Sequence, residues 1–421
     1  MILTFDHHDC RPPGMIGRMR FPTGLRALNH HDFRRFLGAQ VVSQLGSWMQ
    51  SVAQSWLVLE LTNSPFRLGL LGALQFGPFL FLSPVSGAIV DRLPRRRLLI
   101  VTQILFALQS LGLALLVSTG HGAYWAIALL ATMAGFANTL DQPARQAFVT
   151  ALVGRGDVLN AVVLTSAAFN ATRIVGPAAA GLLIGQIGIA PAFVVNALSF
   201  LVVVLTLVRL AEPARPARSA GTSVLDQIGE GVAYAWRTPR VRLFLGLLFT
   251  VSFTVFNFSV YVPVLARTVL GLGPAGFGLL MTALGVGAVL GALTLGMASG
   301  ENPSIMVVFA AATVACGGLL GLSLCHRVWT TASCLVVTGF FGVIVVASCN
   351  TALQLAAPDA LRGRVLSLYT WVYFGLFPIG AFLIGAVSER WGVSRALFVA
   401  GLFGLATLAV VGGWWRRGSA G

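Results

Sequence analysis

The sequence predicts an all-α membrane protein whose twelve transmembrane helices form two pseudosymmetric six-helix bundles. Composition is the first reason. Of 421 residues, 57% are hydrophobic and only 10% are charged, whereas a soluble domain carries about 25% charged residues. Internal repetition is the second reason, since Phe36-Leu37-Gly38 recurs 208 positions later as Phe244-Leu245-Gly246. Weaker matches follow in the same order, between 72–77 and 282–287 and between 157–160 and 364–367. A repeat at one period predicts two similar halves.

Apolar runs define the predicted helices, because a span needs about 20 predominantly apolar residues to cross the hydrocarbon core. The twelve runs lie at about 36–60, 66–90, 98–119, 122–140, 158–187, 190–210, 242–266, 275–298, 304–325, 328–353, 365–387 and 394–415. Most connections between them are very short, so neighbouring helices are expected to be antiparallel.

The domain boundaries follow from these runs. The predicted segments are an N-terminal cytoplasmic lead (1–32), a first bundle (33–210), a linker (211–241), a second bundle (242–415) and a cytoplasmic tail (416–421). Within the linker one helical face would carry Val224, Leu225, Ile228, Val232 and Trp236. This pattern predicts an amphipathic helix on the inner membrane surface.

Arginine sets the predicted orientation. All 28 basic residues are arginine, and 22 of them fall on segments that share a side with the N-terminus, against five on the other side. The positive-inside rule therefore places both termini in the cytoplasm. Arginine in place of every lysine indicates the codon bias of a GC-rich bacterium, and hence a bacterial inner (plasma) membrane. The net charge of +15 does not indicate nucleic-acid binding, because the charges punctuate apolar runs and form no basic domain.

A polar stripe follows the first predicted span. Its members are spaced 4, 3, 4 and 3 residues apart and fall within about 80° of one another on a helix; they are Gln40, Gln44, Ser47, Ser51 and Gln54. Because lipid cannot satisfy amides, the stripe is expected to line a water-filled substrate cavity, with interhelical hydrogen bonding as the alternative. Gln75 and Asn257 are further polar residues in spans, and lining or structural bonding would each explain them.

Arg173 is the predicted charge inside a span. A charge at that depth costs at least about 2.5 kcal/mol and is retained when it is paired or hydrated. Gly176-Pro177 follows it and permits a kink or close helix packing. Two roles are open: Arg173 binds an anionic or carbonyl-rich substrate, or it holds the fifth span against a neighbour.

The segment GAIVDRLPRRR (87–97) resembles the loop signature of the major facilitator superfamily, G-x-x-x-D-R-x-G-R-R-[RK]. The matching positions are Gly87, Asp91, Arg92, Arg95, Arg96 and Arg97, and Pro94 departs from the pattern. Other stretches, including LDQPARQAFVTALV and NATRIVGPAAAG, are similar to the branch containing enterobactin exporters and macrolide efflux pumps, which are drug:proton antiporters. The resemblance implies the major facilitator fold and proton-coupled export of a small molecule.

The same resemblance implies a cytoplasmic latch. Asp91 would approach the start of the eleventh span near 363–365, and Arg95 would pair with Asp141. These contacts would form only when the cytoplasmic side is shut, and so would favour an outward-open form. Topology control by the arginines alone is the alternative, although it does not require Asp91.

The sequence itself says little about energy coupling. No nucleotide-binding signature occurs, no histidine lies within a span, and the predicted span interiors lack acidic residues. By elimination Glu60 is the candidate proton carrier, with simple solvation at the membrane surface as the alternative. We expect no metal site and no cofactor.

The predicted function is efflux of a small amphipathic molecule, such as a siderophore, a macrolide or another drug-like compound, by a monomer that uses protons. No reactive grouping supports an enzyme. A flippase for lysophospholipids or lipid headgroups on the same fold is the alternative, and a non-transporting scaffold is a further one.

Overall fold

The computed structural model describes residues 22–212, 224–297 and 303–418, and all regular structure within these residues is helical. Short 3₁₀ helices lie at Thr23–Asn29 and Arg155–Asp157. The first α-helices are α1 (His31–Thr62), α2 (Pro65–Arg92), α3 (Arg95–Ser118), α4 (Tyr124–Leu152), α5 (Val158–Ile187), α6 (Ala190–Arg209) and α7 (Val224–Arg237). The remaining helices are α8 (Pro239–Thr254), α9 (Phe258–Thr268), α10 (Pro274–Met297), α11 (Ile305–Leu324), α12 (Val328–Ala356), α13 (Asp359–Gly375), α14 (Phe377–Trp391) and α15 (Val393–Gly418).

Each predicted span overlaps a helix of the structure. Ten stretches of the described residues are long and apolar enough to cross a membrane. Helices α1 and α4 are not among the ten, although they contain 32 and 29 residues and at 1.5 Å per residue reach about 45 Å. Polar side chains lower the mean hydropathy of these two helices. The ten candidate spans are sufficient to make this a multi-pass membrane protein.

Two predicted spans are broken. The seventh, expected to run unbroken over 242–266, divides into α8 and α9, and the eleventh, expected over 365–387, divides into α13 and α14. At the first break the Asn257 side chain donates to the Phe253 carbonyl at 2.7 Å and the Tyr261 hydroxyl donates to the Val255 carbonyl at 3.1 Å. At the second, Pro378 lies in the first turn of α14 and has no N–H to continue the ladder.

The predicted linker helix is present as α7 (Val224–Arg237). Val232 and Trp236, two members of its predicted apolar face, are exposed. The side chains of 224–228 lie outside the described residues. Its location on the membrane surface remains a prediction.

The helices of the two halves of the chain show a repeated pattern of contacts. Helix α1 contacts α5 and α6, α2 contacts α4, and α3 contacts α4 and α6. The second half repeats this arrangement, since α8 contacts α13 and α15, α10 contacts α12, and α11 contacts α12 and α15. The halves meet along two long seams, which are α5 against α10 and α2 against α14.

Glycines allow the backbones at both seams to approach closely. A Cβ on Gly69 of α2 would lie 2.4 Å from the Ala381 carbonyl oxygen, and one on Gly278 of α10 would lie 2.5 Å from the Pro177 carbonyl oxygen. These approaches lie toward the distal end of the molecule, which we define as the end with the loops at 63–64, 119–123 and 188–189. The opposite end, which holds the first and last described residues, is called the terminal end. The structure is therefore closed between the halves at the distal end.

Candidate substrate site between the two halves

A cavity of about 140 Å³ lies between the two halves. Helices α1 and α2 of the first half form one wall, and residues of α9 and α14 form the other. Its polar lining residues include Ser51, Gln54, Ser55 and Gln75, and its aromatic lining residues are Trp48, Phe76, Phe258 and Phe377. A cavity with mixed polar and aromatic walls suits an amphipathic ligand.

Part of the predicted polar stripe lines this cavity. Ser51 and Gln54 belong to its wall, together with Gln75 of α2. The Gln54 amide donates to the Gln75 side-chain oxygen at 3.5 Å, which is a long hydrogen bond. These side chains therefore keep hydrogen-bonding capacity for a ligand.

The rest of the stripe has other surroundings. Gln40 is buried and does not line the cavity. Its amide oxygen accepts a 2.8 Å hydrogen bond from Arg145 of α4. Gln44 accepts a long bond, 3.4 Å, from the Thr172 hydroxyl of α5. Ser47 is exposed and donates to a carbonyl of its own helix. Two members of the stripe thus line the cavity, two bond to other helices, and Ser47 bonds within its own helix; a substrate-binding role of the stripe remains a prediction.

Asn257 lies at the break between α8 and α9 and is fully buried. Its amide nitrogen donates to the Phe253 carbonyl, while its side-chain oxygen has no partner among the described residues. A Cβ on Gly380 of α14 would approach the amide nitrogen to 2.5 Å, so the space is tight. Asn257 therefore shapes the break, and its neighbour Phe258 reaches the cavity.

Arg173 is buried beside the cavity, with 8% of its surface exposed. Its guanidinium carbon lies 5.9 Å from the ring centre of Trp48 and 5.3 Å from that of Phe258, one ring from each half. Within the described residues Arg173 has no ion pair and no side-chain hydrogen bond; its recorded contacts are with ring faces. Cation–π contact offsets only about 2 kcal/mol of the desolvation of such a charge, so the guanidinium keeps its capacity to bind an anion.

Helix packing fixes the position of Arg173 on α5. A Cβ on Gly176 would lie 2.5 Å from the Trp48 Cβ, and one on Gly285 of α10 would lie 2.8 Å from the Arg173 carbonyl oxygen. The Thr282 hydroxyl of α10 donates to the Ile174 carbonyl at 3.2 Å. The R-x-x-G-P element therefore lets α5 pack closely against α1 of its own half and α10 of the other half. This packing holds the arginine between the two halves.

Sequence reasoning missed the aromatic side chains that cross the interface between the halves. Ring centres of Phe76 and Phe377 are 4.5 Å apart, and those of Phe79 and Phe374 are 5.6 Å apart. Both pairs join α2 to the region of the break between α13 and α14. The sequence did contain a signal for the break beside these rings. It is Pro378, because a proline inside an apolar run indicates where a helix ends.

The residues of the predicted latch lie at the terminal end of α2 and α3. Arg96 donates to the carbonyls of Leu207 and Val208 at 2.7 and 2.9 Å and so caps α6. Arg95 donates to the Ala147 carbonyl of α4 at 3.3 Å. Gly87, Arg92 and Arg97 are exposed, and the Asp91 side chain lies outside the described residues.

Asp141 is fully buried in α4. Its carboxylate accepts hydrogen bonds from Thr102 at 2.7 Å and Gln103 at 2.8 Å and forms an ion pair with Arg145. In this structure Asp141 pairs with Arg145, which lies one helical turn away on the same helix, and its pairing with Arg95 when the terminal end is shut remains a prediction.

Glu60 is exposed near the distal end of α1 and does not line the cavity. The cavity wall contains no Asp, Glu or His among the described residues. No group of three or more metal-binding side chains occurs in the part of the chain that the structure describes.

Long apolar helices, a repeated pattern of helix contacts and a central cavity with polar and aromatic walls define a multi-pass membrane transporter. The chain belongs to the transmembrane secretion effector family of the major facilitator superfamily, whose family model matches residues 22–413.

Characterised relatives cover nearly the whole chain. The staphyloferrin A transporter of Staphylococcus aureus is 24% identical over 87% of this chain and 92% of its own. The multidrug efflux pump Tap of Mycolicibacterium fortuitum is 27% identical over 89% and 93%. The enterobactin exporter EntS of Salmonella typhimurium is 26% identical over 91% and 93%. The resemblance to a siderophore and drug exporter branch is thereby confirmed.

Solved structures agree on the fold. A bacterial homolog of the human lysosomal transporter Spinster, in an inward-facing and occupied conformation, superposes with a TM-score of 0.73 at 13% identity, covering 93% of this chain and 96% of its own. The nucleoside transporter NupG gives a TM-score of 0.70 at 12% identity, covering 90% and 98%. At such low identity this similarity concerns the fold alone.

Proposed function

We propose that the protein is a secondary active transporter that exports a small amphipathic molecule by alternating access. The central cavity carries this proposal, because its aromatic residues suit an apolar ligand surface and Ser51, Gln54 and Gln75 offer hydrogen bonds. The relatives include siderophore and multidrug transporters, which supports a siderophore, a macrolide or another drug-like compound as substrate.

Twelve spans in two six-helix bundles are part of the proposal. Helices α1 and α4 complete the ten apolar stretches to twelve, and the repeated pattern of helix contacts supports two equivalent bundles. Both termini would lie in the cytoplasm of a bacterial inner membrane, as the distribution of arginine predicts. The closed distal end would then face outward, and the cavity would exchange its contents with the cytoplasm.

The small volume of the cavity supports a change of conformation during transport. At about 140 Å³ it is smaller than the roughly 300–1,000 Å³ of usual small-molecule sites. A siderophore or macrolide therefore requires the walls to separate. Because the lining residues belong to both halves, any relative movement of the halves would change the contacts between the cavity wall and the substrate.

Arg173 would bind an anionic or carbonyl-rich group of the substrate. It is a buried cation with aromatic contacts from both halves, and it lacks an acidic partner in the described structure. An incoming carboxylate, catecholate or carbonyl oxygen would supply the missing hydrogen bonds, which are strong in a site of low dielectric constant.

Export would be coupled to protons. This part of the proposal depends on the resemblance to drug:proton antiporters, since no acidic residue lines the cavity within the described structure. Glu60 would be the carrier only if it becomes shielded from solvent in another conformation, because it is exposed in this one.

The loop at 87–97 would act as a latch at the terminal end. The described bonds of Arg95 and Arg96 stay within the first half, as expected for a structure in which the halves meet at the distal end. Asp91→Asn should lower transport at unchanged surface expression, and wild-type flux would refute the latch.

Transport by cells provides the decisive test. Accumulation of a labelled siderophore, a macrolide and a lysolipid would be measured with and without the protein, and again after a protonophore collapses the proton gradient. We expect lower accumulation of the siderophore or macrolide, reversed by the protonophore. Transport of the lysolipid alone would favour the flippase, and no flux of any solute would favour a scaffold.

Arg173→Ala tests the site, with Arg327→Ala in an exposed distal loop as control. Because an anion would lose its charged partner, efflux should fall by more than about tenfold, with unchanged expression and thermal stability. Arg173→Lys should restore part of the activity, since it retains the charge without the planar fork. Efflux that is unchanged in Arg173→Ala would remove this residue from the mechanism.

A further inference from the structure

A second arginine–tryptophan cluster lies at the terminal end of the second half, far from the cavity lining. The guanidinium carbon of Arg242 on α8 lies 3.2 Å from the ring centre of Trp414 on α15 and 5.6 Å from that of Trp236 on α7. Arg237, Arg240 and Arg417 belong to the same helix ends. Three helices thus converge on one basic and aromatic surface, which we call the α7–α8–α15 surface.

Arg240 and Arg242 have no acidic partner among the described residues. Nε of Arg240 and Nε of Arg242 are both buried without a hydrogen-bond partner, and neither side chain forms an ion pair with any described residue. Glu230 of α7 is occupied by Arg364 of α13. Topological control by positive charge accounts for arginine at this end, but it does not account for a guanidinium packed between tryptophans with its Nε left without a partner.

Comparison with the first half shows that α8 lacks an acidic side chain in its first turn. Helices α1 and α8 begin at equivalent positions of the internal repeat, 208 residues apart. The first turn of α1 contains Asp32, whereas the equivalent position in α8 is Arg240; Arg34 and Arg242 correspond in the same way. A carboxylate is favourable near a helix N-terminus. The first half supplies its own anion there, while the second half has an arginine instead.

Trp236 indicates where such an anion comes from. It is 69% exposed and lies on the predicted apolar face of α7 with Val232, which is also exposed. Tryptophan is enriched at the level of the lipid headgroups, where its ring is partly in the apolar phase and its N–H is hydrated. With α7 on the membrane surface, as the sequence predicts, the exposed Val232 and Trp236 and the arginines at the start of α8 would meet at the depth of a lipid phosphate.

We propose that the α7–α8–α15 surface binds the headgroup phosphate of an anionic phospholipid. Arg240 and Arg242 donate to the phosphate oxygens at the N-terminus of α8, and Trp236 and Trp414 bracket the headgroup. Basic sites between transmembrane helices are known to select anionic lipids on electrostatic grounds. The lipid bound at this surface is a structural partner and is distinct from the transported molecule.

Lipid binding by the purified full-length protein tests this inference. The protein would be placed in nanodiscs of phosphatidylcholine alone or of phosphatidylcholine with phosphatidylglycerol. Phosphatidylglycerol retained by the protein would be counted by native mass spectrometry, and the melting temperature would be measured in both lipids. We expect wild type to retain the anionic lipid and to melt at a higher temperature in its presence, and loss of either effect in wild type would overturn the proposal.

Variants locate the site. Arg240→Gln and Arg242→Gln should each weaken phosphatidylglycerol retention about fivefold, while Arg209→Gln, an exposed arginine at the end of α6, should leave it unchanged. Retention unaltered in the double variant, or equally weakened by Arg209→Gln, would refute the assignment. Soluble glycerol phosphate serves as the second ligand: if it stabilises wild type as much as the lipid does, the site binds free phosphate, and the lipid proposal is wrong.

Arg240→Asp keeps the test informative if neutral variants fold poorly. It gives the second half the first-turn carboxylate that Asp32 provides in the first half. We expect this variant to be as stable as wild type in phosphatidylcholine and to lose the stabilisation by phosphatidylglycerol. An Arg240→Asp protein that keeps the full lipid-dependent shift would contradict the proposal.

Discussion

The two halves have similar helix packing but differ in how their interiors are held together. In the first half, buried polar side chains bond to other helices: Gln50 of α1 donates to Gln109 of α3 at 2.9 Å and accepts from Asn196 of α6 at 2.8 Å. In the second half, buried hydroxyls bond to their own helices. Thr254 and Thr338, for example, each donate to the carbonyl one turn earlier.

Close backbone packing occurs in both halves, since a Cβ on Gly135 of α4 would lie 2.0 Å from the Gln75 carbonyl oxygen of α2, but the second half, where the structure describes it, lacks the interhelical polar bonds described above. A Cβ on Gly287 of α10 would lie 2.0 Å from the Val336 carbonyl oxygen, and one on Gly339 of α12 would lie 2.2 Å from the Leu284 carbonyl oxygen. The second half also contains both helix breaks. Directional bonds fix the register between helices, whereas apolar contacts let helices slide or bend. We infer that the first half moves as a rigid unit and that the second half deforms during transport.

The largest expected effect comes from Asp141, the buried carboxylate of the first half. Asp141→Ala leaves Arg145 without its ion pair and removes the acceptor of Thr102 and Gln103. Removing one partner of a buried pair costs about 3–5 kcal/mol. We expect this loss in the free energy of unfolding, measured in mixed micelles.

Glu230→Gln is the comparison change, at an ion pair between the linker helix α7 and α13 of the second half. Its carboxylate pairs with Arg364 but is 52% exposed, so the expected loss is at most about 1 kcal/mol. Similar losses for Asp141→Ala and Glu230→Gln would show that the buried polar cluster does not make the first half more rigid.

Gln50 provides a second, smaller test. Gln50→Leu removes hydrogen bonds to α3 and α6, each worth about 0.6 kcal/mol in a helical membrane protein, so the loss should be about 1–2 kcal/mol. Thr338→Val removes only a bond within α12 and should change stability by less than about 0.5 kcal/mol. Hydrogen exchange should also speed up across the first half in Gln50→Leu, and an unchanged exchange pattern would weaken the contrast between the halves.

Sequence patterns were sufficient for the helices and for three of the residues that line the cavity, Ser51, Gln54 and Gln75. Apolar runs reveal a span whatever its neighbours are, and so every predicted span overlaps a helix. The break at Asn257 had no such signal, because it depends on one amide bonding back to Phe253. The local sequence pattern does not decide between a continuous helix and a broken helix at this position.

The polar stripe shows the same limit on a single helix. Period alone placed Gln40 and Gln54 on one face, yet Gln40 bonds to Arg145 and Gln54 lines the cavity. Which neighbour covers each turn of α1 depends on the tilt of α2, α4 and α5, and that tilt is not encoded in the stripe. Arg173 was identifiable because an intramembrane charge is expensive in any packing.

The smallest expected effect concerns the contact that joins the halves at the distal end. The Glu389 carboxylate of α14 accepts hydrogen bonds from the Ser64 hydroxyl at 2.9 Å and from the Phe66 backbone N–H at 3.1 Å, at the N-terminus of α2. Both partners belong to the rigid first half, and the carboxylate belongs to the half that we expect to deform. An anion at an exposed helix N-terminus contributes about 0.3–1 kcal/mol. Glu389→Ala should therefore shift the population toward distal opening by about two- to fivefold.

Double electron–electron resonance between spin labels at positions 62 and 390 would measure this shift, with Glu212→Ala at the terminal end as control. Glu212, at the start of the linker, accepts a hydrogen bond from the Arg96 backbone N–H of α3, so its loss should leave the distal distance distribution unchanged. If Glu389→Ala leaves the distribution unchanged as well, glycine packing along α2 and α14 is sufficient to close the distal end. The same result would mean that the deformable half is held in register by its backbone, without a polar contact to the rigid one.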